Sequence, residues 1–235
     1  MTVTTLPTIV TPYPGVGFDL YRDIHKGIRA ELFAVTGTAG RIDPSEKAAR
    51  LALQSHVRSV VDLLVVHAEH EDAAVQPSIE QYIPAVAEQI VDDHATLEAR
   101  MVDLQVLASD AALAEPDEQR LAVQRLYVEL ASFTSAYLAH QDLEERVVMP
   151  ALFDAIGFEA ALAINEAIVS SIPPDLMASS LAIMLPAMNI DDRTEMLGGM
   201  KMGAPPEVFA GVWALASTVL TPADHAALGT RLGFA

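Results

Sequence analysis

One pattern occurs twice in this chain, and its spacing is useful only on a helix. His67-Ala-Glu-His-Glu71-Asp-Ala-Ala-Val-Gln-Pro77 and His140-Gln-Asp-Leu-Glu144-Glu-Arg-Val-Val-Met-Pro150 each set a glutamate four residues after a histidine, an acid directly after that glutamate, and a proline ten places after the histidine. Residues four apart on a helix share a face, about one turn apart. Each segment can therefore offer an imidazole nitrogen and a carboxylate to the same point. Two such helices facing each other supply two imidazoles and two carboxylates. A carboxylate has two oxygens, so each can bridge a pair of metal ions.

The surrounding sequence reads as helix. Strand alternation is scarce, and Ala, Leu, Glu and Gln dominate long stretches. From Asp19 the series Leu20, Ile24, Ile28, Leu32 steps by fours. A break over 37–45 contains two glycines and Asp43-Pro44, and a second helix starts at Pro44-Ser45-Glu46. Pro77 and Pro84 bracket the next turn. A third helix carries Ile90, His94, Leu97 and Met101 and breaks over 109–117; a fourth runs from Leu121 through His140 and Val147 towards Pro150. In an up-and-down bundle, residues at equal depth on successive helices are equidistant from the intervening turn. The midpoint of 25 and 67 is 46, that of 67 and 94 is 80.5, and that of 94 and 140 is 117. The first falls beside the Pro44 turn and the other two on breaks, all assigned without reference to histidine. His25, His67, His94 and His140 are thus expected in one layer across the bundle.

A lone His, His-x-x-x-Glu, a lone His and a second His-x-x-x-Glu, in that order, resemble the hemerythrin-like (HHE cation-binding) family over roughly residues 19–155. The resemblance implies an all-α fold, an antiparallel up-down-up-down four-helix bundle, followed here by a C-terminal extension of short helices. It implies a non-haem di-iron centre, two Fe ions bridged by carboxylates and an oxo or hydroxo group, with His25, His67, Glu71, His94, His140 and Glu144 as metal ligands. It also implies chemistry with O2, peroxide or nitric oxide. The ferritin-type pattern, Glu-x-x-His, fits less well because it sets the acid first and three residues away.

One departure points away from reversible oxygen carriage. Oxygen-carrying members have a fifth histidine one turn from the third-helix ligand, and the corresponding places here are Ile90 and Glu98. Ile90 cannot ligate, which leaves both irons with open positions unless Glu98 adds a ligand. Tyr21, Tyr137 and His70 are candidates to act around the metals, the two phenols by hydrogen-bonding a bound ligand; Asp72 and Glu145 could orient neighbouring imidazoles. Leu63, Leu64, Ile90, Phe133 and Val147 are expected to exclude water around the layer. His56 shares a face with His67 but sits ~16 Å along the axis, too far for the same metal. His225, in the tail, is expected to be exposed.

Composition narrows the rest. Thirty-two acidic against 14 basic residues give a net charge of -18, which disfavours nucleic acid and anionic membrane surfaces as partners. The absence of cysteine excludes disulfides, iron–sulfur clusters and thiolate sites. Two uncharged runs, Leu176–Ile190 and Val208–Ala223, are too short to span a bilayer. No basic stretch precedes the apolar residues of the first 18, so a cytoplasmic protein is expected. Residues 1–18 read as an N-terminal arm, 19–170 as the bundle, and 171–235 as a C-terminal helical extension. Six of nine methionines lie between Met177 and Met202, a composition suited to core filling or to a homodimer interface. The functional expectation is a di-iron protein that binds or turns over O2, H2O2 or NO, with peroxidase- or catalase-like activity. The alternatives are a non-enzymatic iron or gas sensor, an iron-handling protein, and a bundle stapled by structural zinc.

Overall fold

The computed structural model describes residues 16–234, so most of the N-terminal arm lies outside the described residues. Among the described residues every regular element is helical. Asp19 starts the first helix: its Oδ1 accepts the backbone N–H groups of Tyr21 and Arg22. Four long helices follow the apolar spacing of the sequence: α1 (Arg22–Ala39), α2 (Lys47–Ala74), α4 (Pro84–Leu113) and α5 (Gln119–Leu143). They pack in a closed cycle, α1 on α2, α2 on α4, α4 on α5 and α5 on α1. Their buried stripes step by three and four: Ile28, Leu32, Val35 and Ala39 in α1, Leu53, Val57, Val60 and Leu64 in α2, Leu97, Met101, Leu104 and Ala108 in α4, Val123, Leu126, Leu130 and Phe133 in α5. Leu126 is fully buried in this cluster, so Leu126→Ala should lower the free energy of unfolding by roughly 2–5 kcal/mol. Urea unfolding followed by circular dichroism checks this, and a change below 1 kcal/mol would mean the site collapses around the cavity.

Buried Arg50 ties off one end of the bundle. Its Nε donates to the carbonyl of Ala111 at 2.9 Å, and its guanidinium also reaches the carbonyl of Pro44. The last turn of α4, whose end carbonyls lack intrahelical partners, is thereby joined to the loop before α2.

Two connections differ from the sequence expectation. Between Pro77 and Pro84 the chain forms a short helix, α3 (Gln76–Tyr82), with Pro77 in its first turn; proline is accommodated there because the first N–H groups of a helix have no intrahelical acceptor. The fourth helix does not stop at Pro150. It passes through a π-helical turn, Glu144–Val148, into α6 (Met149–Ser171). The π turn has already left the regular i to i−4 ladder, so the missing donor of Pro150 removes no regular bond. The extra residue also shifts register. Val147, expected at the core, is 45% exposed, and Val148 is fully buried in its stead. Gly157, with φ of 76°, redirects α6 midway, a conformation that glycine adopts without strain.

Past Ile172 the chain forms α7 (Pro174–Ala187), α8 (Ile190–Gly203), α9 (Pro206–Val219) and α10 (Pro222–Arg231). These short helices share a separate apolar cluster containing Leu185, Leu197, Ala216 and Leu228, against which Met177, Met196 and Met200 pack. Met202 is 87% exposed and fills nothing. α7 docks on α1 where Gly27 permits close approach: a Cβ there would lie 3.2 Å from Ile183 Cγ2 and 3.4 Å from the backbone of Met184. Lys26 and Arg22 of α1 also pair with buried Asp192 of α8. Among the described residues, the run Gln119–Ser171 contains an 18-residue stretch of mean hydropathy 1.8, of which 22% is buried. By length and composition it could cross a membrane, although Asp154 and Glu159 interrupt its apolar run.

Candidate metal centre

The apolar stripes of the four long helices do not end; they change chemistry. In α2 the buried series Val60, Leu64 continues as His67 and Glu71, and in α5 the series Phe133, Tyr137 continues as His140 and then Glu144, the first residue of the π turn. His25 precedes Ile28 on the stripe of α1, and His94 lies between Ile90 and Leu97 on that of α4. The same helical period that buries the leucines therefore buries all six polar residues, each at most 9% exposed. The structure brings His25, His67, Glu71, His94, His140 and Glu144 to one level of the bundle.

Their donor atoms form two groups, His25, His67 and Glu71, and Glu71, His94, His140 and Glu144, with the atoms of each group within 4.8 Å of one another. In the first, His25 Nε2 is 3.2 Å from His67 Nε2, and Glu71 Oε1 is 3.0 Å from His67 Nε2. In the second, Glu71 Oε2 is 3.4 Å from His94 Nε2, and Glu144 Oε1 is 3.2 Å from His140 Nε2. Glu144 Oε2 returns to the first group, 3.4 Å from His25 Nε2. Each carboxylate thus turns one oxygen to one pair of imidazoles and its other oxygen to the other pair.

The outer ring nitrogens face a second layer of acids. His25 Nδ1 contacts Glu145 Oε1 at 3.0 Å, and that carboxylate also accepts from Arg29 at 2.7 Å. His94 Nδ1 contacts Asp72 Oδ1 at 2.8 Å. His140 Nδ1 lies 3.6 Å from Asp93 Oδ2. The sequence pointed to Asp72 and Glu145, which follow the two shared glutamates and are rotated 100° to reach the neighbouring helix. It missed Asp93. The available signal was of the same kind: Asp93 adjoins His94 and is rotated towards α5.

Proton affinities in the cluster are strongly divided. Burial disfavours the charged ring of His25, but the hydrogen bond to Glu145 and the nearby charges of Glu144 and Glu71 overcome this and raise it to about 9. His94 is raised to about 9 against burial by Glu71 and Asp72. Burial lowers His67 to about 4, despite Glu71. Glu71 is held well below the usual range: burial opposes this, but the charge of His67 and the rings of His25 and His94 prevail. Glu144 is raised, by burial first and then by the charge of Glu71, against the pull of His140. One carboxylate of the pair is ionised and the other resists ionisation, as expected for two acids sharing a buried site.

The remaining candidates separate clearly. Tyr21 and Tyr137 are buried beside the layer, with ring centroids 5.2 Å from His25 and 5.9 Å from His140. Burial and the charges of Glu71 and Glu144 push both phenols well above their ordinary value, so each keeps its proton. His70 instead lines a hollow with Ala74, Pro77, Ile164 and Ala167, on the α6 side of α2. Glu98 is exposed and outside both groups, and Ile90 is buried and apolar. Leu64 and Phe133 are buried as expected, and Leu63 only partly. His225 is not exposed: it is half-buried, 4.2 Å from the Trp213 ring, because α9 and α10 fold against each other. His56 pairs with Glu31 at 3.0 Å, outside both donor groups. His56→Ala should leave metal content unchanged by elemental analysis; a loss of half a metal per chain would show that His56 supports the layer.

The cluster fits a metal better than it fits itself. Glu71 Oε1 and Oε2, Glu144 Oε2 and His94 Nε2 are buried and have no hydrogen-bond partner. Glu71 Oε1 and His67 Nε2 are close but not aligned as acceptor and donor, which is the arrangement of two atoms aimed at a third. An unsatisfied buried polar atom costs about 1–3 kcal/mol, and a cation between these atoms removes that cost. Imidazole with carboxylate suits iron, manganese or zinc. Residues 16–152 match the family model described as the hemerythrin HHE cation binding domain. No curated protein and no solved structure matches the chain.

Proposed function

The chain belongs to the hemerythrin HHE cation-binding family, and from that premise we propose that it holds a non-haem di-iron centre which binds or turns over O2, H2O2 or NO. One observation carries the reading: Glu71 and Glu144 each divide their two oxygens between the same two pairs of histidines. That division serves two metal ions sharing two carboxylates and would be idle around one. The antiparallel four-helix bundle that the family implies is supported by the cyclic packing of α1, α2, α4 and α5. When bound, the iron pair supplies redox electrons and coordination positions for a small ligand.

The chain's own residues do the rest. His25 and His67 would hold one iron and His94 and His140 the other. Glu145 and Asp72 fix the ring orientations of His25 and His94. Buried Leu64, Ile90, Phe133 and Val148 exclude bulk water and favour a small uncharged ligand. Tyr21 and Tyr137 hold their protons at the phenol oxygen near neutral pH, so they act as hydrogen-bond donors flanking the layer. A ligand set of four imidazoles and two shared carboxylates would leave room on both metals for a small ligand, which favours turnover or sensing over oxygen carriage. The net charge of -18 disfavours nucleic acid and anionic membrane surfaces as partners; a gas or peroxide as partner and a cytoplasmic location belong to the same reading. Pairing of two chains through the C-terminal helices belongs to the same reading.

Metal analysis with optical spectroscopy tests it. Two irons per chain, near-ultraviolet charge-transfer absorption and a spectral change on adding NO or peroxide are expected. One zinc per chain and an unchanged spectrum would sink the proposal in favour of a structural metal. The sensor reading has its own support: α1, which carries His25, is also the helix on which α7 docks. Peroxide consumption separates the two, because consumption that stops near one equivalent per site excludes an enzyme.

A further inference from the structure

The two sides of the site are built differently. On the α1 side, His25 is fully buried, α7 covers the helix at Gly27, and Glu145 behind the ring is neutralised by Arg29 and largely shielded. On the α4 side, the acids behind His94 and His140 open to solvent: the Asp72 side chain is 48% exposed and that of Asp93 36%. Among the described residues, no lysine or arginine pairs with either acid. Directly beneath them, buried His94 Nε2 has no hydrogen-bond partner, and neither has buried His140 Nδ1, which faces Asp93 across 3.6 Å. The acids between solvent and the site thus differ: on the α4 side two solvent-facing carboxylates carry no cationic partner, Asp72 bonding only the His94 ring, whereas on the α1 side Glu145 is held by Arg29.

We propose that Asp72 and Asp93 form the loading port through which divalent metal enters and leaves, so that the His94 and His140 position exchanges first and the His25 and His67 position later. This rests on the metal-centre reading above. A hydrated divalent cation is drawn to a pair of carboxylates that carry no counter-cation, as charged mouths raise association rates. It sheds water stepwise as the imidazoles of His94 and His140 replace it. Glu71 and Glu144 reach both positions, so a metal can pass to the inner pair by exchanging one carboxylate oxygen for the other, without leaving the acids that hold it. The inner position has no comparable outlet, because its outer acid is held by Arg29.

Cobalt(II) loading of the metal-free protein, followed by visible absorption, provides the test. Two cobalt ions per chain are expected, released to excess chelator in two phases of equal amplitude. The double variant Asp72→Asn, Asp93→Asn should load about three- to tenfold more slowly at low salt, with the difference shrinking as ionic strength rises. Its release rate should rise as well, because Asp72 also orients His94, so the loading rate and its salt dependence are what report the port. The variant Asp103→Asn, Asp110→Asn, which removes the same two charges from the far half of α4, should load at the parental rate. If the two aspartates only orient imidazoles, the Asp72 and Asp93 double variant releases cobalt faster but loads normally, which overturns the port. Single-phase release of both ions overturns the ordered exchange. Binding of fewer than two cobalt ions by the parent defeats the two-metal reading itself, so the two failures are distinguishable. Unchanged helicity by circular dichroism excludes unfolding as the cause of slow loading.

Discussion

Glu71→Ala and Glu144→Ala should each strip the protein of most of its metal, leaving well under one ion per chain. Each substitution removes an oxygen from both metal positions at once, because each carboxylate is divided between the two pairs of histidines. Loss of a group that only orients a ligand typically costs 10–100-fold in affinity, so loss of a shared ligand should exceed that. The isosteric variants sharpen the test. Glu144→Gln removes a carboxylate whose ionisation is opposed by burial and by Glu71. The metal-free form of that variant should therefore melt at or above the parental temperature, while its metal content collapses. Glu71→Gln should behave otherwise: it removes the ionised partner of His25, His67 and His94, and should weaken the metal-free protein as well. Calorimetry with and without metal reads both effects. Full metal content in Glu144→Gln would refute the shared-carboxylate geometry.

Metal should also reverse the pH dependence of stability. In the metal-free protein His25 and His94 are raised to about 9. A raised histidine stabilises the fold below its unfolded value near 6.5, and that contribution is lost as pH climbs from there to about 9. Glu145, lowered to about 2, works in the opposite sense: burial opposes its charge, but His25 and Arg29 overcome this, and the contribution is lost as pH falls from about 4.5 towards 2. The metal-free protein should thus weaken on the alkaline side, and buried His67, lowered to about 4, removes stability as pH falls below about 6.5. Metal requires neutral imidazoles, so binding displaces the protons of His25 and His94. Affinity should rise by up to about a hundredfold per pH unit between 7 and 9, two protons being released. At a thousandfold excess over the dissociation constant, the bound metal adds roughly 4 kcal/mol. Melting curves with and without metal should therefore diverge from pH 7 to 9; parallel curves would mean that the cluster carries no displaceable protons.

Much of this site was legible before any coordinates, for a specific reason. A helical bundle converts sequence separation into depth, so equal distances from the turns at Glu46 and Pro116, and from α3 between them, placed four histidines in one layer. Glu71 and Glu144 followed from the four-residue repeat on one face. Depth along a helix was readable; orientation around it was less so. Asp93 escaped because its role depends on which neighbouring helix it faces, and Val147 was misplaced because the π turn adds a residue to the period with no compositional mark. The stretch 151–170 reads as helix, but that α5 runs into it through Pro150 is not legible, since proline ends a regular helix but not one already out of register. The covering of α1 by α7 was also invisible, because nothing in the Met-rich segment says which bundle face it meets; the small residue that permits the contact, Gly27, lies far away in sequence.

The two copies of the repeat have equivalent ligands and different exits. After Glu71 the chain turns at Val75 and enters α3; after Glu144 it widens through the π turn and continues as α6. Exchange of the two segments would preserve every donor atom and still misdirect the chain beyond each proline. For anyone seeking to transplant this centre into another scaffold, the portable unit is therefore larger than its ligand motif. It extends from each histidine past the proline ten residues on, and the two units cannot be used interchangeably.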